Sequence, residues 1–127
     1  MKKWILLAAV LFSAVLSGCD GSKTYRGDWK AISVNGDRFN INFDAKTFTV
    51  KDSTGAAEHY DYTQNSVSIE NSVSTYGIQL KDGRGYKVTF PNSDNKDVGI
   101  IKDANGVLMF TISRHAYVRY EDIYKLK

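Results

Sequence analysis

From Tyr25 onward, apolar side chains recur at every second position, which is the period of a β-strand with one buried face. The clearest set is Phe39, Ile41 and Phe43, and the residues between and beside them are polar. Further sets of this kind are Phe48 and Val50; Tyr60 and Tyr62; Val67 and Ile69; Tyr76, Ile78 and Leu80; Tyr86, Val88 and Phe90; and Leu108, Phe110 and Ile112. Helical spacing appears nowhere convincingly, and residues 120–126 are predicted as the final strand.

Residues that favour turns separate these sets, since they supply positive φ angles or side-chain-bonded turns. The predicted turns are Asn35 to Asp37, Asp52 to Gly55, Gln64-Asn65, Lys81 to Gly85, Pro91 to Asn95, and Ala104 to Gly106. Short strands at regular intervals without helical crossovers predict an all-β fold, an antiparallel up-and-down meander of about eight or nine strands closing into a small barrel. An outer-membrane barrel fits poorly, because it needs strands of about 9–11 residues with an apolar outer face.

The amino-terminal segment has the features of an export signal. Lys2 and Lys3 precede an apolar run from Ile5 to Val15, which is much shorter than the ~20 residues of a spanning helix. The run ends in Leu16-Ser17-Gly18-Cys19, which closely resembles the lipobox of bacterial lipoproteins. The resemblance implies a diacylglycerol on the Cys19 sulfur, cleavage before Cys19, and often a further acyl group such as palmitate on the new amino end.

These features divide the chain into three parts: a cleaved signal (1–18), the lipidated Cys19 with a short polar tether (19–24), and the barrel domain (25–127). Two or three acyl chains hold a protein stably on a membrane. Cys19 is the single cysteine of an exported chain, so an intramolecular disulfide is excluded. The expected location is therefore the cell membrane, facing outside the cytoplasm. If the host is enteric, Asp20 resembles the signal for retention on the inner membrane.

Length and charge limit the function further. Removing the first 18 of the 127 residues leaves 109, which suits one domain with a modest core. Two of the 17 basic residues lie in the signal, so the rest carries 15 basic against 14 acidic residues. Without a basic excess, binding to nucleic acid has no support.

At the start of the predicted barrel, Gly27-Asp28-Trp29 resembles the Gly-x-Trp of the first strand in lipocalins and related calycins. The resemblance implies a lipocalin-like barrel in which a late arginine packs over the tryptophan ring at the closed end. Either Arg114 or Arg119 is a candidate for that arginine. The chain is shorter than the larger lipocalins and is expected to lack their C-terminal helix.

The titratable residues form no convincing catalytic or metal-binding pattern, so we expect neither an enzyme nor a cofactor. His59 and His115 lie far apart and show no ligand spacing with each other or with a cysteine. No nucleophile motif is present. The adjacent acidic residues Glu121 and Asp122 would point to opposite faces of a strand.

Aromatic residues provide the remaining hint about function. Tyr60, Tyr62, Tyr76 and Tyr86 alternate within predicted strands, where they can fill the core or line a ligand cavity. One hypothesis is a membrane-tethered module that binds a small, largely apolar ligand inside the barrel. The alternative is an envelope interaction factor, of inhibitor, immunity or exclusion type, that acts through the loops Asp82–Gly85 and Pro91–Asp97. An internal cavity favours the first hypothesis, and a filled interior favours the second.

Overall fold

The computed structural model describes residues 20–92 and 94–123, which form one closed antiparallel barrel with a short helix at its side. Each strand pairs with the next along the chain, and the last pairs with the first. The elements are β1 (Gly27–Ser33), β2 (Arg38–Phe43), β3 (Thr47–Asp52), β4 (Ala57–Glu70), β5 (Val73–Leu80), β6 (Gly85–Phe90), β7 (Val98–Asp103), β8 (Leu108–Ser113) and α1 (Tyr120–Ile123). The predicted all-β, up-and-down barrel is confirmed. Among the described helices, none has the length and apolar character required to cross a bilayer.

One end of the barrel, here called the open end, carries the β1–β2, β3–β4, β5–β6 and β7–β8 connections. All four use the same turn. The backbone N–H of the residue before the loop donates to the carbonyl oxygen of the residue after the loop, and the carbonyl oxygen of the residue before the loop accepts from the loop glycine. In the first of them, Ser33 N donates to Asp37 O and Gly36 N donates to Ser33 O. Gly36 has a φ of 89°, which suits the left-handed position that closes a three-residue hairpin loop. The turns predicted at these four places are confirmed.

The turn predicted at Gln64-Asn65 is wrong. Strand β4 runs through it for 14 residues, with a bulge in its pairing between Gln64 and Ser66. Gln64 lies on the inner face of the sheet, where its Oε1 accepts hydrogen bonds from the Tyr25 hydroxyl and the Ser22 amide. Gln64, which the sequence suggested as a turn residue, is therefore a hydrogen-bond acceptor on the inner face of the barrel.

The strand predicted over 120–126 is also wrong, since Tyr120–Ile123 forms α1. The outer face of β7 carries Val98 and Ile100, and Ile123 packs on them to form a second apolar cluster outside the barrel. Because this packing buries apolar side chains, the segment folds back onto the outside of the barrel and does not form a ninth strand. Four residues are too few to show helical periodicity in the sequence. The remainder, 124–127, lies outside the described residues.

Large aromatic side chains fill the end of the barrel opposite the open end. This N-terminal end carries the chain entry at Asp20, the β2–β3 and β4–β5 turns, and the β6–β7 loop. Tyr25, with no exposed surface, contacts the rings of Phe43 and Tyr76 edge to face, at 5.2 and 5.3 Å between ring centres. Such contacts stabilise a core beyond the area that they bury.

The segment before β1, predicted as a tether, lies against the N-terminal end. Gly21 N donates to Ala45 O at 2.7 Å, and Arg26 Nε donates to Gly21 O at 2.7 Å. A Cβ on Gly21 would overlap the Tyr62 hydroxyl, so this close approach requires glycine. Residues 21–26 therefore form part of the plug that closes this end.

Candidate ligand-binding site

A cavity of about 260 Å³ lies inside the open half of the barrel. Its wall is mainly aliphatic and aromatic, because the inward positions of the strands are apolar there. The apolar lining residues are Ile41, Phe43, Phe48, Val50, Ile78, Leu80, Ile101, Met109 and Phe110. The interior is therefore filled at one end and partly hollow at the other.

Two charged residues, Glu58 and Arg84, lie at the rim of this cavity. Each precedes a rim tyrosine by two positions in the sequence: Glu58 precedes Tyr60 within β4, and Arg84, in the β5–β6 turn, precedes Tyr86. All four side chains border the barrel mouth. Sequence reasoning assigned neither residue to a cavity rim, and it considered Arg84 only within the interaction loop Asp82–Gly85. For Glu58, the spacing of two positions from Tyr60 within a predicted strand was a usable signal.

The guanidinium of Arg84 is held in place at the mouth. Its Nη2 lies 2.8 Å from the Asp82 carboxylate, and its Nη1 lies 3.5 Å from the Tyr86 hydroxyl. The same group lies 5.3 Å from the centre of the Tyr60 ring, within the range of a cation–π contact. A preorganised cation therefore stands beside the apolar opening.

Tyr60 stands between this cation and the cavity wall. Its ring stacks on Phe48 at 5.1 Å between centres, and its hydroxyl donates to the Glu58 carboxylate. That hydrogen bond, together with burial, raises the pKa of Tyr60 above its ordinary value of 10. The mouth thus presents hydroxyl groups, one guanidinium and one carboxylate around an apolar interior.

The four candidate tyrosines separate into two pairs. Tyr60 and Tyr86 line the cavity. Tyr62 and Tyr76 lie in the filled core, where Tyr62 donates to Asp44 O at 2.5 Å and Tyr76 donates to Thr24 Oγ1 at 3.2 Å. The alternation of the sequence gives all four an inward direction, but only the stagger of the strands decides which end each one faces.

Trp29 and Arg114 form a contact, here called the latch, that joins the first strand to the segment after the last. Arg114 Cζ lies 3.7 Å from the centre of the Trp29 ring, and the guanidinium donates to the backbone oxygens of Thr24, Arg26 and Asp28. Trp29 is buried, and its Nε1 donates to Tyr25 O. Of the two candidate arginines, the structure thus places Arg114 over the tryptophan.

Arg119, the other candidate, is exposed on the segment before α1. Gly27 belongs to the latch because its φ is 102° and a Cβ there would lie 3.1 Å from Arg114 Nη1. Both facts make a side chain at this position unfavourable.

The other residues considered from the sequence lie apart from the cavity. His59 is exposed and bonds to Thr49 Oγ1, while His115 is exposed and lies 3.2 Å from the Asp97 carboxylate. Within residues 20–92 and 94–123, no group of three or more His, Cys, Asp or Glu side chains is placed to hold a metal ion. The loop Asp82–Gly85 lies at the open end and Pro91–Asp97 at the N-terminal end, so they form two separate surfaces.

Cys19, the predicted lipidation residue, lies outside the described residues, as does the predicted signal over 1–18. No known family model matches the chain, and a search of curated proteins finds no match to it.

Proposed function

We propose that the protein is an extracytoplasmic lipoprotein whose lipocalin-like barrel is a non-enzymatic binding module for a small, largely apolar ligand. The observation that carries this proposal is the apolar cavity with its polar mouth. Binding sites for small molecules are concave and mostly apolar, with a few polar groups that fix the ligand's orientation. Phe48, Leu80 and Phe110 supply such a wall, and Tyr60 and Arg84 supply such a rim.

The cavity volume limits the ligand. An apolar cavity of about 150 Å³ is large enough to bind benzene, and the cavity here measures about 260 Å³. This is slightly below the roughly 300–1,000 Å³ that is usual for ligand sites. The matching ligand is a small amphiphile, with a medium-length acyl chain or a compact ring system inside and a polar group at the rim.

The anchor supports a role at the membrane surface. With a lipid on Cys19, the N-terminal end of the barrel lies next to the bilayer, since the described chain begins at that end with Asp20. The cavity opens at the other end. The ligand would therefore enter from the aqueous compartment and not directly from the lipid.

Ligand binding is tested with residues 20–127, a fluorescent fatty acid as the probe, and two matched variants. Val50→Phe places a ring in the cavity and should abolish probe binding, because Val50 lines the wall. Val107→Phe, at an exposed turn position of the open end, should leave probe binding unchanged. Circular dichroism checks that both variants fold. Equal probe binding by the Val50→Phe variant and the unmodified domain would contradict an internal site.

The anchor is tested independently in cells fed with a fatty-acid analogue. The unmodified chain should be labelled and should fractionate with membranes. Cys19→Ala should lose both the label and the lipoprotein type of cleavage, because the acylated sulfur is absent. Persistent labelling of that variant would refute Cys19 as the lipidation residue.

A further inference from the structure

Two large aliphatic side chains, Val67 and Ile69, are exposed to water near the tip of the β4–β5 hairpin, and we call them the apolar tip. Their exposed fractions are 52% and 69%. In the register, Val67 is opposite Tyr76 and Ile69 is opposite Ser74, two buried residues of β5. Paired residues project from the same face of a sheet, so the apolar tip belongs to the inner face of the barrel wall.

The apolar tip is uncovered because β4 extends beyond the region in which it pairs with β3. In the described structure, β4 pairs with β3 only from Ala57 to Asp61, and from Tyr62 to Glu70 it pairs with β5 alone. The N-terminal segment covers the first part of this extension, where Ser22 N bonds to Gln64 Oε1. Beyond that point the inner face of β4, at Val67 and Ile69, is exposed to water.

The proposed lipid and the apolar tip belong to the same end of the barrel. Thr24 Oγ1 accepts a hydrogen bond from Tyr76, which is the partner of Val67 in the register. Gly21, held by its bond to Ala45, leaves only Asp20 between the barrel and Cys19. Since consecutive Cα atoms are about 3.8 Å apart, acyl chains on Cys19 would hold this end of the barrel directly against the bilayer.

The composition of the hairpin fits a lipid surface. Between Asp61 and Lys81, Glu70 is the one charged residue, whereas charged residues make up 24% of the whole chain. The opposite face carries small hydroxyl side chains, among them Ser66, Ser68 and Thr75. Charged groups are costly to bring into a bilayer, and this hairpin nearly lacks them.

We propose that Val67 and Ile69 insert into the interfacial layer of the membrane, so that the barrel stands with its N-terminal end on the lipid and its cavity mouth directed away. The proposal rests on the proposed anchor at Cys19. Lipid is favoured over a second copy of the chain, because two side chains offer far less than the roughly 800 Å² per partner of a stable interface. The anchor supplies the affinity, and the apolar tip sets the orientation.

The test uses the full chain, expressed so that it is acylated and then reconstituted in phosphatidylcholine nanodiscs with brominated acyl chains. Ile69→Trp places a reporter in the apolar tip, and Val34→Trp places one at an exposed position of the open end. The unmodified protein gives the background of Trp29, because Trp4 is removed with the predicted signal. We expect strong quenching of the Ile69→Trp signal, as for a side chain buried about 5–10 Å into the interface, and none for Val34→Trp.

Several outcomes would overturn the proposal. Unquenched Ile69→Trp fluorescence in an acylated protein refutes insertion while leaving the anchor standing. Equal quenching of both reporters refutes a fixed orientation. Absence of the fatty-acid label refutes the anchor, and with it the reason for the apolar tip to meet lipid. Val67→Trp repeats the first measurement, so that a folding defect of one variant does not decide the result.

Discussion

Removing the guanidinium of Arg114 should destabilise the barrel strongly, because the latch joins β1 to the segment that follows β8. The group contacts the Trp29 ring at 3.7 Å and donates to three backbone oxygens. A cation–π contact of this kind contributes about 0.5–2 kcal/mol, and hydrogen bonds from a charged donor about 1.5–3 kcal/mol. Arg114 is partly exposed, so water replaces some of these bonds in the variant. We therefore expect Arg114→Ala to lower the free energy of unfolding by about 2–3 kcal/mol.

The measurement is urea and thermal unfolding of residues 20–127, followed by circular dichroism and by the fluorescence of Trp29. The loss corresponds to a decrease in Tm on the order of 10–20 °C for a domain of this size. Arg119→Ala is the matched control, since Arg119 is exposed, and it should change the free energy by no more than about 0.5 kcal/mol. Arg114→Lys keeps the charge but loses the planar fork, and it should recover only part of the loss. Equal effects of the two alanine variants would refute the latch.

Three further predictions concern single positions. Burial raises the pKa of Tyr62 above its ordinary value of 10. The contribution of Tyr62 to the free energy of unfolding is therefore complete below pH 10 and decreases at higher pH. Urea titrations at pH 8 to 12 should show a smaller alkaline loss of stability for Tyr62→Phe than for the unmodified domain. A stability unchanged up to pH 12 would contradict it. Ser72 has a φ of 68°, so Ser72→Gly should raise the free energy of unfolding by about 0.5–1 kcal/mol, and Ser53→Gly, in another turn, should give no gain. Gly27→Ala should cost more than about 1 kcal/mol because of its positive φ and its crowded Cβ position, whereas Gly85→Ala, with ordinary Cβ contacts, should cost less.

The sequence predicted the barrel well, because both of its signals are local. Alternation marks strands with one buried face, and the pairs Asn35-Gly36 and Asp82-Gly83 mark the tight turns between them. The errors occurred where tertiary contacts outweigh local preference. Gln64 looked like a turn residue, yet it accepts hydrogen bonds from the N-terminal segment. The β4–β5 turn lies at Asn71-Ser72, where both residues have positive φ angles. It contains no glycine, so the sequence lacks the usual signal for such a turn.

The site was harder to predict than the fold. Period-two patterning gives the direction of Tyr60 and Tyr76 but not their height along the barrel axis, which depends on how far each strand is shifted against its neighbour. One of them consequently lines the cavity and the other fills the core. The cavity exists only because inward residues at the open end, such as Val50, leave space that the aromatic rings occupy elsewhere.

The two ends of the barrel are packed differently, and this difference connects stability with the proposed ligand binding. The latch, the packed tyrosines and the N-terminal segment close one end with buried aromatic rings and satisfied hydrogen bonds. At the other end, the side chains that line the cavity border open space on one side. Changes at Val50 or Ile101 should therefore alter ligand binding at a smaller cost in stability than changes at Trp29. With the proposed anchor at Cys19, the barrel would concentrate its stability at the end next to the bilayer. The far end would then be free to differ in shape and rim chemistry, which is where the proposed ligand would be recognised.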